Sequence, residues 1–161
     1  TEIFMKNGSE FEMETIQLGG VSYSDRKTNA YLDDDTKLII KEKILTSEKQ
    51  VAKTIFNVVL KGRNSNVEVI SRSVAKDKSK QKFISNIKGQ NECFGHVECD
   101  GIILNKAQIE SVPKIVAQNI NATLIHEAAI GKIAGDQIVK LQTLGLSEEE
   151  AQAQIIKGFL K

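Results

Sequence analysis

Short stretches in which apolar and polar residues alternate fill the chain from about residue 10 to residue 131. A period of two is typical of β-strands with one buried face, and the Gly, Asn, Ser, Asp and Lys residues between the stretches predict turns. The stretches recur evenly and no helical pattern separates them, which argues against a βαβ fold. The clearest predicted strands are residues 37–40, 55–60, 66–70, 93–99 and 122–126.

A repeat with a period in the twenties accompanies these predicted strands. Gly62 and Gly89 lie 27 residues apart within the related tetrapeptides KGRN and KGQN. The asparagines that end these tetrapeptides are Asn64 and Asn91, and Asn121 follows 30 residues after the second. Several short strands per period predict a mainly β protein, a right-handed parallel β-helix. The asparagines would stack at successive corners of the helix, or would simply favour turns.

From about residue 135 the pattern becomes helical. Residues 136–144 place apolar side chains at a spacing of three, and Gly145 is suited to end that helix in the left-handed conformation. Ser147 and Glu150 form a capping-box pattern that predicts a second helix from residue 148 to about residue 160. The predicted buried stripe of this helix is Ala151, Ile155 and Phe159, widened by Ile156 and Leu160.

These two regimes predict a β-helix core over residues 1–133 and a C-terminal helical domain over residues 134–161. The apolar face of the helical hairpin is expected to pack on the end of the β-helix, which leaves its other surface free for a partner. The chain begins with Thr1 rather than Met, which suggests a piece of a longer protein.

Composition narrows the class of protein. Aromatic residues make up 5% of the chain and tryptophan is absent, so the core is expected to be aliphatic. A net charge of +1 gives no reason to expect a nucleic-acid or membrane partner. Two cysteines are too few for a disulfide framework, which favours reduced thiols and a cytoplasmic location.

The residues best suited to metal chemistry are Cys99, His126 and Glu127. Thiolate suits iron–sulfur chemistry, and imidazole or carboxylate can serve as auxiliary ligands. Cys99 and His126 are 27 residues apart, equal to the glycine period, which would place them on adjacent coils at roughly 4.8 Å. The simpler interpretation is a small core cysteine and a hydrogen-bonded strand-end histidine. Further candidates lie nearby in sequence: Cys93, His96, Glu98 and Asp100.

Other kinds of site have weaker support. The spacing of Cys93 and Cys99 does not fit a zinc knuckle, and there is no phosphate loop, Gly-rich nucleotide fingerprint or nucleophile elbow. A carbohydrate-active β-helix enzyme is a further alternative. It would require a groove with several acids and stacking aromatics, for which two tyrosines and no tryptophan are a poor basis.

The C-terminal half resembles the SufB/SufD family of iron–sulfur cluster assembly proteins. The resemblance covers about residues 88–161, nearly half of the chain, and combines an HEA strand, a GDQ helix start and a GLSEEEA turn. The matching segments are residues 96–101, 124–133, 135–137, 144–151 and 155–159.

The resemblance implies a right-handed parallel β-helix with a C-terminal helical domain. It also implies a non-enzymatic scaffold for a transient iron–sulfur cluster, or a structural adaptor of the same complex without cluster ligands. The implied partners are a SufC-type ABC ATPase, a SufB/SufD-type subunit or a second copy of this chain, and a sulfur donor system. Contact with the ATPase is expected from the helical domain, at Asp136, Gln137, Glu148, Glu149 and Phe159.

The resemblance assigns roles to single residues in the conserved motifs of the family. Cys99 matches the SufB-type cysteine and Glu127 matches the SufB-type glutamate, whereas His126 matches the histidine of SufD-type members. The implied cluster ligands are therefore Cys99, His126 and Glu127. Ile125 stands where the SufB-type motif has its first glutamate, so that both subunit types remain open.

Overall fold

A computed structural model describes residues 1–161 as ten strands followed by two helices. The alternating stretches all lie in strands, as their period of two predicts. The elements are β1 (Glu2–Met5), β2 (Glu10–Leu18), β3 (Tyr23–Leu32), β4 (Lys37–Thr46), β5 (Val51–Leu60), β6 (Ser65–Ala75), β7 (Lys80–Gly89), β8 (Cys93–Ile103), β9 (Gln108–Ala117), β10 (Ala122–Gly131), α1 (Gly135–Thr143) and α2 (Glu148–Phe159).

The strands form two parallel five-stranded sheets that face each other. Sheet A has the order β1-β3-β5-β7-β9, and sheet B has the order β10-β8-β6-β4-β2. Each coil contributes one strand to each sheet, so the chain is a parallel β-solenoid of about five coils with 59% of its residues in strands. The prediction of a mainly β, solenoid fold with two C-terminal helices is confirmed. Coil length varies, because Glu2 pairs with Asn29 whereas Cys93 pairs with Ala122.

The asparagines of the sequence repeat do not stack as the predicted corner ladder. At that corner the backbone of Asn64 donates to Glu92, not to Asn91. The ladder that does form lies on the outer face of sheet A, where the amide of Asn86 donates to Asn57 at 2.7 Å and that of Asn57 donates to Asn29 at 2.6 Å. Stacked left-handed residues mark the other corner instead: Glu48, Asp77 and Asn105.

The interior between the sheets is aliphatic at one end of each strand and polar at the other. Ile40 and Val69 are fully buried, as the expected aliphatic core requires. Two residues further along β4, Glu42 also points inward and is 1% exposed. Its carboxylate accepts from Arg26 at 2.7 Å and from Thr54 at 2.9 Å. The composition did not predict this buried charge.

Gly62 is needed for close approach of two coils. A Cβ atom at this position would lie 2.1 Å from the backbone nitrogen of Asp34, well inside contact distance. We expect Gly62→Ala to lower the free energy of unfolding by about 2 kcal/mol, since backbone has to shift to admit the methyl group. Urea unfolding of Gly62→Ala beside Gly158→Ala measures this, because a Cβ at Gly158 meets nothing within 4 Å. Equal stability of the two variants would contradict the packing described here.

Both predicted helices are confirmed. Gly145 ends α1 with a φ of +94°. The hydroxyl of Ser147 accepts from the backbone of Glu150 at 3.2 Å, and the Glu150 carboxylate accepts from the backbone of Ser147 at 2.8 Å. Of the predicted stripe on α2, Ala151 is buried and Ile155 and Phe159 are partly buried. Neither helix is long and apolar enough to cross a membrane.

The helical hairpin does not cover the end of the solenoid, so that expectation is wrong. Residues of α2 and of strands β2 and β4 line one groove of about 480 Å³, which places α2 along the outer face of sheet B. The outward side chains of Ile16, Leu18 and Leu45 explain this position, because they give the apolar stripe of α2 a matching surface. Lysines border the groove: Lys43, Lys76, Lys157 and Lys161.

The capping box predicts a local effect of Ser147→Ala. Loss of the side-chain acceptor costs a helix about 1 kcal/mol. We expect faster amide hydrogen exchange in the first turn of α2, at Glu149 and Glu150, with unchanged exchange in β8. Exchange that is unaltered throughout α2 would show that the cap contributes nothing to this helix.

Candidate functional site

Cys99 lies inside the solenoid near its C-terminal end. It points inward from β8 and is 1% exposed. The strand register aligns it with Ser71 on β6 and with Ala128 on β10, and Ser71 in turn aligns with Glu42. Cys99 therefore belongs to an interior column whose preceding members are polar.

His126 shares the inner face with Cys99 but is not its direct neighbour. The register pairs His126 with Val97 and pairs Cys99 with Ala128, so the coil is 29 residues long here and not 27. A shift of two residues keeps both side chains on one face, because side chains alternate along a strand. At strand spacings of 4.8 Å and a rise of 3.3 Å per residue, their Cα atoms are about 8 Å apart. The structure thus brings the thiol and the imidazole to one face as diagonal neighbours.

Glu127 lies on the opposite face of β10. Its side chain is 67% exposed, and its carboxylate is 3.3 Å from Nε2 of His96. Consecutive residues of a strand point to opposite faces, so His126 and Glu127 cannot both point inward. The three predicted ligands are therefore divided: Cys99 and His126 face the interior, and Glu127 faces outward.

An acidic cluster surrounds Glu127 on the outer face of sheet B. Glu98 is the strand partner of Glu127, and Asp100 lies two residues further along β8. Burial and the neighbouring Asp100 carboxylate raise the pKa of Glu98, and Arg72 opposes that increase. No three His, Cys, Asp or Glu side chains are arranged to hold a metal ion, on this face or elsewhere in the protein.

The electrostatics of the inner face favour neutral groups. Burial raises the pKa of the Cys99 thiol to about 11, with smaller contributions in the same direction from Glu42 and Asp100. Burial and His96 lower the pKa of His126, against the effect of Glu127. At neutral pH the thiol is therefore protonated and the imidazole is uncharged, the form in which imidazole binds a metal.

Two buried polar atoms at this end of the solenoid have no hydrogen-bond partner. They are Nε2 of His126 and Oγ of Ser111. Such atoms are rare in folded proteins and call for a missing partner. Ser111 points inward from β9, since it pairs with the buried Phe83. Sequence patterns gave no reason to single out Ser111, because a serine in a strand carries no distinguishing motif.

The site lies where the solenoid opens. Strands β9 and β10 each pair with one neighbour only, so their outer edges are free. Inward apolar side chains are exposed here, Ile115 to 39% and Ile130 to 36%. The inner face thus offers a soft sulfur and a free imidazole nitrogen next to an unpaired edge, a ligand pair that suits iron bound with sulfide.

These features define a parallel β-solenoid whose terminal coil carries an inward cysteine–histidine pair. The family profile described as "SUF system FeS cluster assembly, SufBD core domain" matches residues 1–159. The chain belongs to this family of iron–sulfur cluster assembly proteins.

Curated relatives with the same family description come from archaea. A SufBD family protein of Archaeoglobus fulgidus is 35% identical over 100% of this chain and 44% of its own length. One of Methanothermobacter thermautotrophicus is 36% identical over 81% of this chain and 33% of its own length. One of Methanocaldococcus jannaschii is 31% identical over 91% of this chain and 46% of its own length. The chain spans less than half the length of these relatives.

Proposed function

We propose that this chain is a scaffold on which a nascent iron–sulfur cluster is assembled and then passed on. Cys99 and His126 supply protein ligands from the inner face of the terminal coil. The observation that carries the proposal is that both side chains face the same interior while Nε2 of His126 lacks any partner. Family membership favours this role over a carbohydrate-active enzyme.

A second subunit completes the site in this proposal. Protein-bound clusters generally have four protein ligands, and the inner face of one chain offers two. Free strand edges are templates for pairing with another chain, and β9 and β10 present such edges beside exposed Ile115 and Ile130. The partner at this edge is a SufB/SufD-type subunit or a second copy of this chain.

Glu127 remains a predicted ligand of a different kind. Because β10 is the last strand of sheet B, a subunit that covers its free edge meets side chains from both faces. The exposed carboxylate of Glu127 is then available to an incoming iron at the rim, while Cys99 and His126 hold it from within. Sulfur would come from a separate donor system.

The helical segment is the proposed contact for an ABC-type ATPase. Asp136, Gln137, Glu148 and Glu149 are exposed, and Phe159 is partly buried, so the first four are free to meet a partner. The groove beside α2 adds an apolar surface, with Ile16 56% and Leu18 62% exposed. Movement of the ATPase on binding ATP would reach sheet B through α2.

A structural adaptor is the second candidate. The observation that favours it is the thiol itself, which is 1% exposed and protonated at neutral pH because its pKa is about 11. An adaptor would bind the ATPase and hold no cluster. A scaffold needs the terminal coil to open or to pair with a second subunit before iron reaches Cys99.

Anaerobic co-purification with a SufC-type ATPase, followed by addition of ferrous iron and sulfide, tests the proposal. We expect a stable complex and a visible sulfur-to-iron charge-transfer absorption that co-migrates with this chain. A complex without that absorption would favour the adaptor, and absence of both would contradict the whole assignment.

A further inference from the structure

The interior of the solenoid repeats one cross-sheet contact at two levels. Glu42 on β4 and Thr54 on β5 are 12 residues apart, and the Thr54 hydroxyl donates to Glu42 at 2.9 Å. Glu48, a left-handed residue with a φ of 55°, lies midway between them at the corner. This geometry places a hydroxyl from one sheet directly on a functional group of the other.

Cys99 and Ser111 occupy the equivalent positions two coils later. They too are 12 residues apart, and Asn105, with a φ of 59°, lies midway at the corner. The strand register confirms the equivalence, because Glu42 aligns with Cys99 through Ser71, and Thr54 aligns with Ser111 through Phe83. Ser111 is therefore to Cys99 what Thr54 is to Glu42.

The sheets approach closely at this level. A Cβ atom built on Gly101, two residues after Cys99, would lie 3.0 Å from Cδ1 of Ile109, two residues before Ser111. The Ser111 oxygen is buried and has no other partner. Its influence on the sulfur is already visible, since Ser111 lowers the pKa of the Cys99 thiol against the larger effect of burial.

We propose that Ser111 is a positioning residue that holds the Cys99 sulfur by a hydrogen bond across the interior of the solenoid. While Cys99 is a thiol, its S–H donates to Oγ of Ser111. Once the sulfur binds iron and the proton has left, the serine hydroxyl rotates and donates to the sulfur. The second half of this inference rests on the proposed function, whereas the first half concerns the protein without iron.

In a cluster-bound state this hydrogen bond would tune the metal. Hydrogen bonds to the sulfurs of a cluster help to set its reduction potential and its retention. Thr54 shows that the fold places a hydroxyl at this position with good geometry. Ser111 thus gives the terminal coil a contact specific for sulfur that neither His126 nor Glu127 supplies.

Infrared spectroscopy of the iron-free chain tests the contact directly. The Cys93→Ala background leaves Cys99 as the only thiol, so a single S–H stretching band remains. We expect Ser111→Ala to shift this band to higher frequency and Ser111→Thr, which keeps the hydroxyl, to restore it. Ser85→Ala is the matched control, because Ser85 is a buried serine on the neighbouring strand β7 across from another part of the interior. A band unmoved by Ser111→Ala, or moved equally by Ser85→Ala, would overturn the inference.

Reconstituted protein provides the second readout. We expect Ser111→Ala to lose its cluster roughly fivefold faster than the wild type, the rate equivalent of one hydrogen bond, and Ser111→Thr to lose it at the wild-type rate. Equal loss from Ser111→Ala and wild type would overturn the role of Ser111 in the cluster-bound state. Failure of the wild type to hold any cluster would instead contradict the proposed function and leave the infrared result to decide the contact.

Discussion

Replacement of Cys99 by serine is expected to abolish cluster formation. The side chain is enclosed between β6 and β10, so no other thiol of the chain can take its place. Serine retains the size of cysteine but offers a hard oxygen, which binds iron with sulfide poorly. We expect the charge-transfer absorption after anaerobic reconstitution to fall by about tenfold or more.

Cys93→Ser is the control for this result. Cys93 is also buried and also points inward from β8, with a pKa raised by burial. Six residues separate the two thiols, a distance of about 20 Å along a strand, so Cys93 lies outside the proposed site. Retained absorption in Cys93→Ser and its loss in Cys99→Ser would support the site. Equal loss in both would indicate damage to the core, and equal retention would favour the adaptor.

Glu42→Ala is expected to have the largest effect on stability. The carboxylate satisfies Arg26, Thr54 and Ser71 at the same time, at distances of 2.7, 2.9 and 3.2 Å. Its removal leaves a guanidinium and two hydroxyls without their buried partner. We expect the free energy of unfolding to fall by about 3 kcal/mol, less than for a fully enclosed pair because Arg26 can turn toward water. Urea denaturation followed by circular dichroism measures it.

The control for Glu42 is Glu14→Ala on the neighbouring strand. Glu14 pairs with Lys43 at 2.8 Å, but its side chain is 43% exposed, so we expect little change in stability. Comparable losses in Glu42→Ala and Glu14→Ala would contradict a special role for the buried carboxylate.

Stability of the fold should also depend on pH through Glu42. Burial raises the pKa of the Glu42 carboxyl, more than Arg26 and the two hydroxyls lower it. A raised pKa in the fold contributes stability that is present below the ordinary glutamate pKa and is lost as pH rises through the raised value. The wild type should therefore lose stability relative to Glu42→Gln as pH increases above the ordinary range for glutamate. A constant difference between the two proteins across that range would contradict the assignment.

Local patterns predicted the elements of this fold well. Alternation defines a strand wherever one face is buried, and the pair Ser147 and Glu150 defines the start of α2 through contacts that lie within four residues. The position of the helical hairpin was not predictable in this way. It depends on Ile16 and Leu18, which lie more than 100 residues before α2 and whose outward exposure shows only once the solenoid has formed.

The candidate site was predicted in part. A coil length of 27 residues, taken from Gly62 and Gly89, placed Cys99 beside His126, whereas the coil between β8 and β10 has 29. Turn length differs from corner to corner, and a change of two residues moves a neighbour along the strand without changing its face. The shared inner face of Cys99 and His126 survives for that reason, and the exclusion of Glu127 from it follows from alternation.

Ser111 and Glu42 could not be found from sequence. Their importance arises from pairing across the interior between the two sheets, and a strand pattern gives only which face a residue occupies. An exact register of all five coils is needed before a 12-residue offset such as that from Cys99 to Ser111 acquires meaning.

The assignment of the inner face as the place of assembly is most directly tested by pulsed electron paramagnetic resonance on the reduced cluster. The chain has two histidines, His96 on the outer face of sheet B and His126 on the inner face, so labelling with ¹⁵N-histidine marks both. The account predicts a ¹⁵N coupling to the cluster that persists in His96→Ala and disappears in His126→Ala. A coupling that persists in His126→Ala and disappears in His96→Ala would place the cluster on the outer face and contradict it.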